Sequence, residues 1–154
     1  MRDVTAVPRE AVQETFSHYP TMLLEELLEG TELTVGVLGD HALPIIKIVP
    51  PEAGEFDYEN KYNGASQEIV APEDVAADIQ KAAQELALKA HRLAGCRDFS
   101  RTDIMCNKDG QLFLLETNTI PGMTAQSLFP KMAGVAGLPM PALCKKLVEM
   151  ALKR

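Results

Sequence analysis

A chain of 154 residues, 46% of them hydrophobic, is long enough to bury one sizeable core, and with 5% aromatics and no Trp that core rests on Leu, Ile, Val, Ala and Met. The net charge of −7, from 15 basic and 22 acidic side chains, argues against a nucleic-acid partner, because such binders carry a basic patch. It suits a site for divalent cations, whose ligands are mostly carboxylates.

Cys96, Cys106 and Cys144 are odd in number, widely spaced and free of any C-x-x-C pair. They read as reduced thiols in a cytoplasmic setting. His18, His41 and His91 are too scattered for a zinc site. No signal peptide or apolar run of membrane length is visible, so a soluble protein without a membrane partner is expected.

In chain order, residues 8–18 read as a helix, with Pro8 in its first turn, Val12 and Phe16 on one stripe, and His18-Tyr19-Pro20 as its end. Thr21 to Glu26 reads as a short strand. Glu32 to Leu38 and Leu43 to Val49 read as strands joined by a turn at Gly39-Asp40-His41. Pro51 to Gln67 is a long polar loop of the kind that serves as a lid or remains disordered. Pro72 to Ala94 is the clearest helix: Pro72 in the first turn, Glu73 and Asp74 at the positive end of the dipole, and Val75, Ile79, Ala82, Leu86, Ala90 and Leu93 on the apolar face. Phe99 to Cys106 and Gln111 to Asn118 read as a hairpin turning at Asn107 to Gly110. Thr124 opens a short helix through Lys131, and Pro139 to Leu152 forms the last helix, with Leu143, Leu147 and Met150 on one side. The pattern is α+β, with a mainly antiparallel sheet flanked by helices.

The second hairpin carries the candidate chemistry. If Cys106 faces Gln111, then Asp103 faces Leu114 and Arg101 faces Glu116. Alternate residues of a strand share a face, so Arg101, Asp103, Glu116 and Asn118 fall together. A one-residue slip would separate Asp103 from Glu116. Two carboxylates and an amide oxygen suit Mg2+, and an adjacent Arg can stabilise charge during phosphoryl transfer. From spacing alone, a solvated face with an Arg–carboxylate pair is the more ordinary reading. Pro121-Gly122-Met123-Thr124 follows; its free backbone N–H groups, with Ser127 nearby, could form an anion site or a plain strand-to-helix connection. Cys106 reads as a small buried apolar residue, and Met105, Met123 and Met132 as core filler.

The run Leu115-Glu116-Thr117-Asn118-Thr119-Ile120-Pro121-Gly122-Met123-Thr124 resembles the D-alanine–D-alanine ligases, a family of ATP-grasp enzymes. Gly95-Cys96 through Arg101-Thr102-Asp103 is similar to that family's Arg-x-Asp strand, Asp57 to Tyr62 to its mobile loop, and Glu25 to Val37 to its nucleotide-binding strand and turn. The resemblance implies the ATP-grasp carboxy-terminal subdomain over residues 21–154, after a helical lead-in at 1–20. It implies ATP and two Mg2+ ions as cofactors, with Mn2+ an acceptable substitute. Asp103, Glu116 and Asn118 would hold the metal. Arg101 would steady the transferred phosphoryl group, and the backbone N–H of Gly122 would serve the oxyanion region. Ser127 and Leu128 would receive the carboxylate of the second D-alanine. Glu25, Glu26, Leu27 and Leu28 would lie along the adenine, with Glu32 on the ribose. Lys61 would reach phosphate and Tyr62 the substrate region, and Tyr62 is the residue expected of a dipeptide-forming ligase.

The family's amino-terminal domain and Gly-rich phosphate loop have no counterpart in this sequence. The expectation is therefore the catalytic carboxy-terminal half of a ligase acting in peptidoglycan synthesis, cell-wall biogenesis and cell shape. Its partners would be D-alanine, ATP, and either an absent amino-terminal half or a homodimer partner docked on exposed apolar surface. The alternatives are a catalytically incomplete nucleotide-binding or interaction module, and another ATP-grasp carboxylate-amine ligase.

Overall fold

The computed structural model describes residues 9–23, 25–50 and 67–153. Helix α1 spans Arg9–His18 and buries none of its residues; Phe16 is exposed. The strands are β1 (Gly30–Leu38), β2 (His41–Ala42), β3 (Ile46–Val49), β4 (Gln67–Val70), β5 (Phe99–Asn107) and β6 (Leu112–Asn118). Helices α2 (Ala77–Leu93), α3 (Leu128–Val135) and α4 (Met140–Leu152) complete the order. All strand pairs are antiparallel in one sheet of order β4-β3-β1-β5-β6, with β2 hanging from β1.

The long strand β1 sits at the centre and is buried at every position from Leu33 to Leu38. That run is what a strand covered on both faces requires. Leu33, Val35 and Val37 point one way, with Ile45 and Ile104, and pack under Ala83 and Ala87 of α2. Leu38 and Ile46 point the other way and pack with Leu43 against Phe129, Met132 and Ala133 of α3 and Leu143 of α4. Gly36 lies under the ring of Phe129, and its N–H donates to Met132 Sδ at 3.0 Å.

Several expected elements are corrected. Thr21 to Glu26 is not a strand; its described residues are largely exposed and pair with no other strand. The ladder begins only at Gly30, where β5 becomes available as a neighbour. Gln67 opens β4 instead of closing a loop, because residues 67–70 find the free edge of β3. Helix α2 starts at Ala77, five residues later than Pro72. Ala71 has φ +50°, Pro72 is buried, and Asp74 is held by Lys47 of β3, which lowers its carboxyl below the usual range through their hydrogen bond. Of the expected apolar face of α2 and its approach, Val75, Ile79 and Leu86 pack against the core, but Ala83, Ala87 and His91 are the buried residues, while Ala82 and Leu93 are exposed. Small residues at 83 and 87 allow the helix to approach the sheet closely. Helix α3 starts at Leu128 after Ser127, four residues beyond Thr124. The last helix and its inward residues Leu143, Leu147 and Met150 match expectation.

At Gly30 the chain passes so close to β5 that an added Cβ would lie 2.0 Å from the carbonyl oxygen of Cys106. Backbone cannot yield there without breaking the ladder. Gly30→Ala should therefore lower unfolding stability by at least about 1–3 kcal/mol, read as a fall in the urea midpoint.

Candidate active site on strands β1, β5 and β6

The turn of the second hairpin closes one residue away from expectation. Asn107 N–H donates to the carbonyl of Gln111 at 3.0 Å, and Asn107 Oδ1 accepts the N–H groups of Asp109 and Gln111. Gly110, at φ +77°, supplies the left-handed residue the turn needs. Cys106 therefore faces Leu112, Met105 faces Phe113 and Ile104 faces Leu114.

Carried straight on, that register would place Glu116 opposite Thr102, on the face covered by α2. A bulge prevents it. Between Ile104 and Asp103 the pairing jumps from Leu114 to Glu116, so Leu115 is the extra residue. Asp103 then faces Glu116, and Arg101 faces Asn118. The expected pairing was wrong at both ends of the hairpin, yet the four residues do share one face.

Strand β1 brings its own residues to that face. Thr34 is opposite Asp103, Gly36 opposite Arg101 and Glu32 opposite Met105. Asp103 is only 7% exposed. Arg101 holds it with a two-pronged grip, Nε to Oδ1 at 3.0 Å and Nη2 to Oδ2 at 2.8 Å. Thr34 Oγ1 donates to Oδ1 at 2.6 Å. Burial alone would pull the Arg101 guanidinium down, but its hydrogen bonds to Asp103 and the charges of Asp103, Glu116 and Glu32 raise it above its usual value. Arg101 is thus a permanent cation facing three carboxylates. Asn118 Oδ1 accepts the N–H of Ile120 at 2.9 Å, which fixes the side chain as the strand ends.

After β6 the chain wraps around Ser127. Its Oγ accepts the Thr124 N–H at 3.0 Å and lies 2.9 Å from Thr124 Oγ1. A Cβ on Gly122 would come within 2.7 Å of that oxygen, so the glycine permits the approach. Ser127 and Leu128 stand at the start of α3. Glu25, Glu26 and Leu27 are exposed and Leu28 half-buried, in the segment leading into β1. Lys61 and Tyr62 lie outside the described residues.

Two polar features escaped the sequence. Thr34 could have been found, since it alternates with Glu32 along the same strand. The contact of His91 Nδ1 with Ser100 Oγ at 2.7 Å joins buried residues of α2 and β5, and no local pattern announces it. Among the described residues no three His, Cys, Asp or Glu side chains form a metal cage.

An antiparallel sheet flanked by helices, with these strands, is the carboxy-terminal domain of the ATP-grasp fold. The family model for the D-ala D-ala ligase C-terminus matches residues 4–149, and the chain belongs to that family. It is 49% identical over 148 residues to the D-alanine--D-alanine ligase of Syntrophobacter fumaroxidans, covering 93% of this chain and 47% of the relative. Among solved structures, the D-alanine-D-alanine ligase from Coxiella burnetii superposes with a TM-score of 0.74 at 28% identity, covering 94% of this chain and 38% of that one. The Bacillus anthracis ligase complexed with ATP gives 0.70 at 31% identity, covering 84% and 40%. The chain spans about half the length of the curated relatives it matches.

Because the ladder carries one residue too many, removing different residues has opposite results. Deleting Leu115 should regularise the pairing and keep Glu116 opposite Asp103. Deleting Thr117 should place Asn118 opposite Thr102, on the α2 face. Cross-strand contacts in NMR spectra should show Glu116 still beside Asp103 in the first, and residue 118 turned to the α2 face in the second. Burial pushes the Cys106 thiol up, so its thiolate fraction at pH 8 lies below that of an ordinary cysteine. Iodoacetamide should label exposed Cys144 first, with Cys106 following only as pH rises, as peptide mapping would show.

Proposed function

We propose that this chain is the catalytic carboxy-terminal part of an ATP-dependent ligase that joins two D-alanines into D-alanyl-D-alanine for peptidoglycan synthesis in the cytoplasm. The observation that carries the reading is the convergence of Arg101, Asp103, Glu116 and Asn118 on one face of neighbouring strands. Membership of the ligase family and the ATP complex of the Bacillus anthracis relative support it. Among the described residues, no helix is long and apolar enough to cross a membrane.

The donor set fits Mg2+. Asp103, Glu116 and Asn118 offer hard oxygen donors, too few to encase a cation. Mg2+ is commonly bound through one or two carboxylates, with phosphate and water completing its shell. Bound there, Mg2+, or Mn2+ in its place, would neutralise charge on the triphosphate. Arg101 spends two of its five N–H groups on Asp103, so three remain to meet the transferred phosphoryl group. It can serve an incoming anion without abandoning the carboxylate that positions it.

The segment from Glu25 to Leu28 would line the adenine, with Glu32 towards the ribose and Lys61 towards phosphate. Tyr62 would face the substrate region. The Gly122 N–H and the start of α3, at Ser127 and Leu128, present donors suited to an oxyanion and to the carboxylate of the second D-alanine. The reaction is then phosphoryl transfer to the first D-alanine, attack of the second amine on the acylphosphate, and loss of phosphate.

A test joins this chain in register to the remaining, amino-terminal length of the Syntrophobacter fumaroxidans relative. Phosphate release should require both ATP and D-alanine, and Arg101→Ala should lower it by about 100- to 1,000-fold. A folded chimera that turns over a different carboxylate but not D-alanine, or neither, overturns the proposal.

A further inference from the structure

A carboxylate oxygen has about two lone-pair sites. Asp103 Oδ1 uses both, one for the Thr34 hydroxyl at 2.6 Å and one for Arg101 Nε at 3.0 Å. Oδ2 uses one, for Arg101 Nη2 at 2.8 Å. The two oxygens are therefore unequal, and the inequality does not come from Arg101. A guanidinium fork meets either face of a carboxylate equally well, so on its own it leaves the oxygens interchangeable.

Thr34 makes the difference. It stands on the central strand, opposite Asp103 in the ladder, and is 1% exposed. Its other neighbour, the Thr102 carbonyl, lies at 3.4 Å, so the short, charge-assisted bond to Asp103 dominates. Burial closes the hydroxyl off from bulk solvent.

We infer that Thr34 is a specificity-determining residue: by occupying Oδ1 of Asp103 it leaves a single oxygen for a divalent cation, which favours Mg2+ over Ca2+. The inference rests on the reading of Asp103 as a metal ligand. Mg2+ is small and demands near-octahedral ligands, for which one oxygen per carboxylate is suited. Ca2+ accepts six to eight oxygens and takes carboxylates in bidentate fashion. Thr34→Val keeps the shape and removes the donor. Oδ1 then regains a lone pair, and the carboxylate can offer both oxygens. Thr34 touches no ligand itself; it acts through Asp103 and is a positioning residue.

The experiment uses the 154-residue chain with ATP and follows Mn2+ binding by water-proton relaxation, with Mg2+ and Ca2+ as competitors. Thr34→Val should weaken Mg2+ by about 10- to 100-fold, the range for lost support of a metal ligand. Ca2+ should weaken less, so that the ratio of the two affinities moves towards Ca2+ by about tenfold. Thr34→Ser keeps the hydroxyl and should restore the ratio. Thr34→Cys, whose thiol is a weak donor, should fall between and supplies the measurement if the valine variant does not fold.

Equal weakening of both cations would mean a merely structural role and overturns the inference, as does an unchanged ratio in a folded Thr34→Val. Asp103→Asn separates this from failure of the underlying reading. If that variant binds Mn2+ like the unaltered chain, or the unaltered chain binds none, the metal site itself is wrong and the role of Thr34 falls with it.

Discussion

The constraint on which the site depends is the burial of one negative charge. A carboxylate removed from water costs several kcal/mol unless cations and donors surround it. Asp103 sits on the second strand of the sheet's central pair with 7% exposure, and its partners come from two directions. Arg101 reaches it along its own strand, and Thr34 reaches it across the ladder. The arrangement fixes the β1–β5 register twice over. Slipping by one residue would turn Leu33 and Val35 out of the core and, in the same movement, deprive Asp103 of the hydroxyl.

The two faces of the sheet divide the work. Beneath α2, the alanines at 83 and 87 let helix and strands meet closely, and the apolar residues of β1 and β5 close the gap. On the other face, α3 and α4 cover Leu38 and Ile46, while the same face also carries the ionic group around Arg101. Phe113, Leu114 and Leu115 stay exposed on the edge strand β6. The packed part of the sheet holds the backbone rigid, and the polar part needs that rigidity, since hydrogen bonds of 2.6–3.0 Å tolerate little drift.

Much of this was legible in the chain. The alternation of Glu32 to Leu38 and the apolar face of Leu143, Leu147 and Met150 report burial directly, so the centre of the sheet and the last helix could be read. The four residues of the hairpin were placed on a common face by assuming a turn that the protein does not use. Asn107 closes the loop with its own side chain, an interaction with no hydrophobic signature, and the bulge at Leu115 then cancels the slip. The late start of α2 was hidden for a similar reason: the ion pair between Lys47 and Asp74 spans 27 residues, and no window along the chain contains both. The segment before β1 carries the short apolar run Met22-Leu23-Leu24, which suits a strand, but a strand needs a neighbour, and that requirement is tertiary.

The separation of Thr34 from Asp103, 69 residues along the chain, has a bearing on how the protein folds. The β5–β6 hairpin is local and can form early, with Asp103 and Glu116 already opposed. The hydroxyl arrives only when a long loop has closed, and closure of that kind is slow and entropically opposed. A hairpin formed in isolation would hold its carboxylate in water with both oxygens free. Completion of the ionic group around Asp103 would thus be tied to completion of the whole sheet, so that this face of the molecule is assembled last.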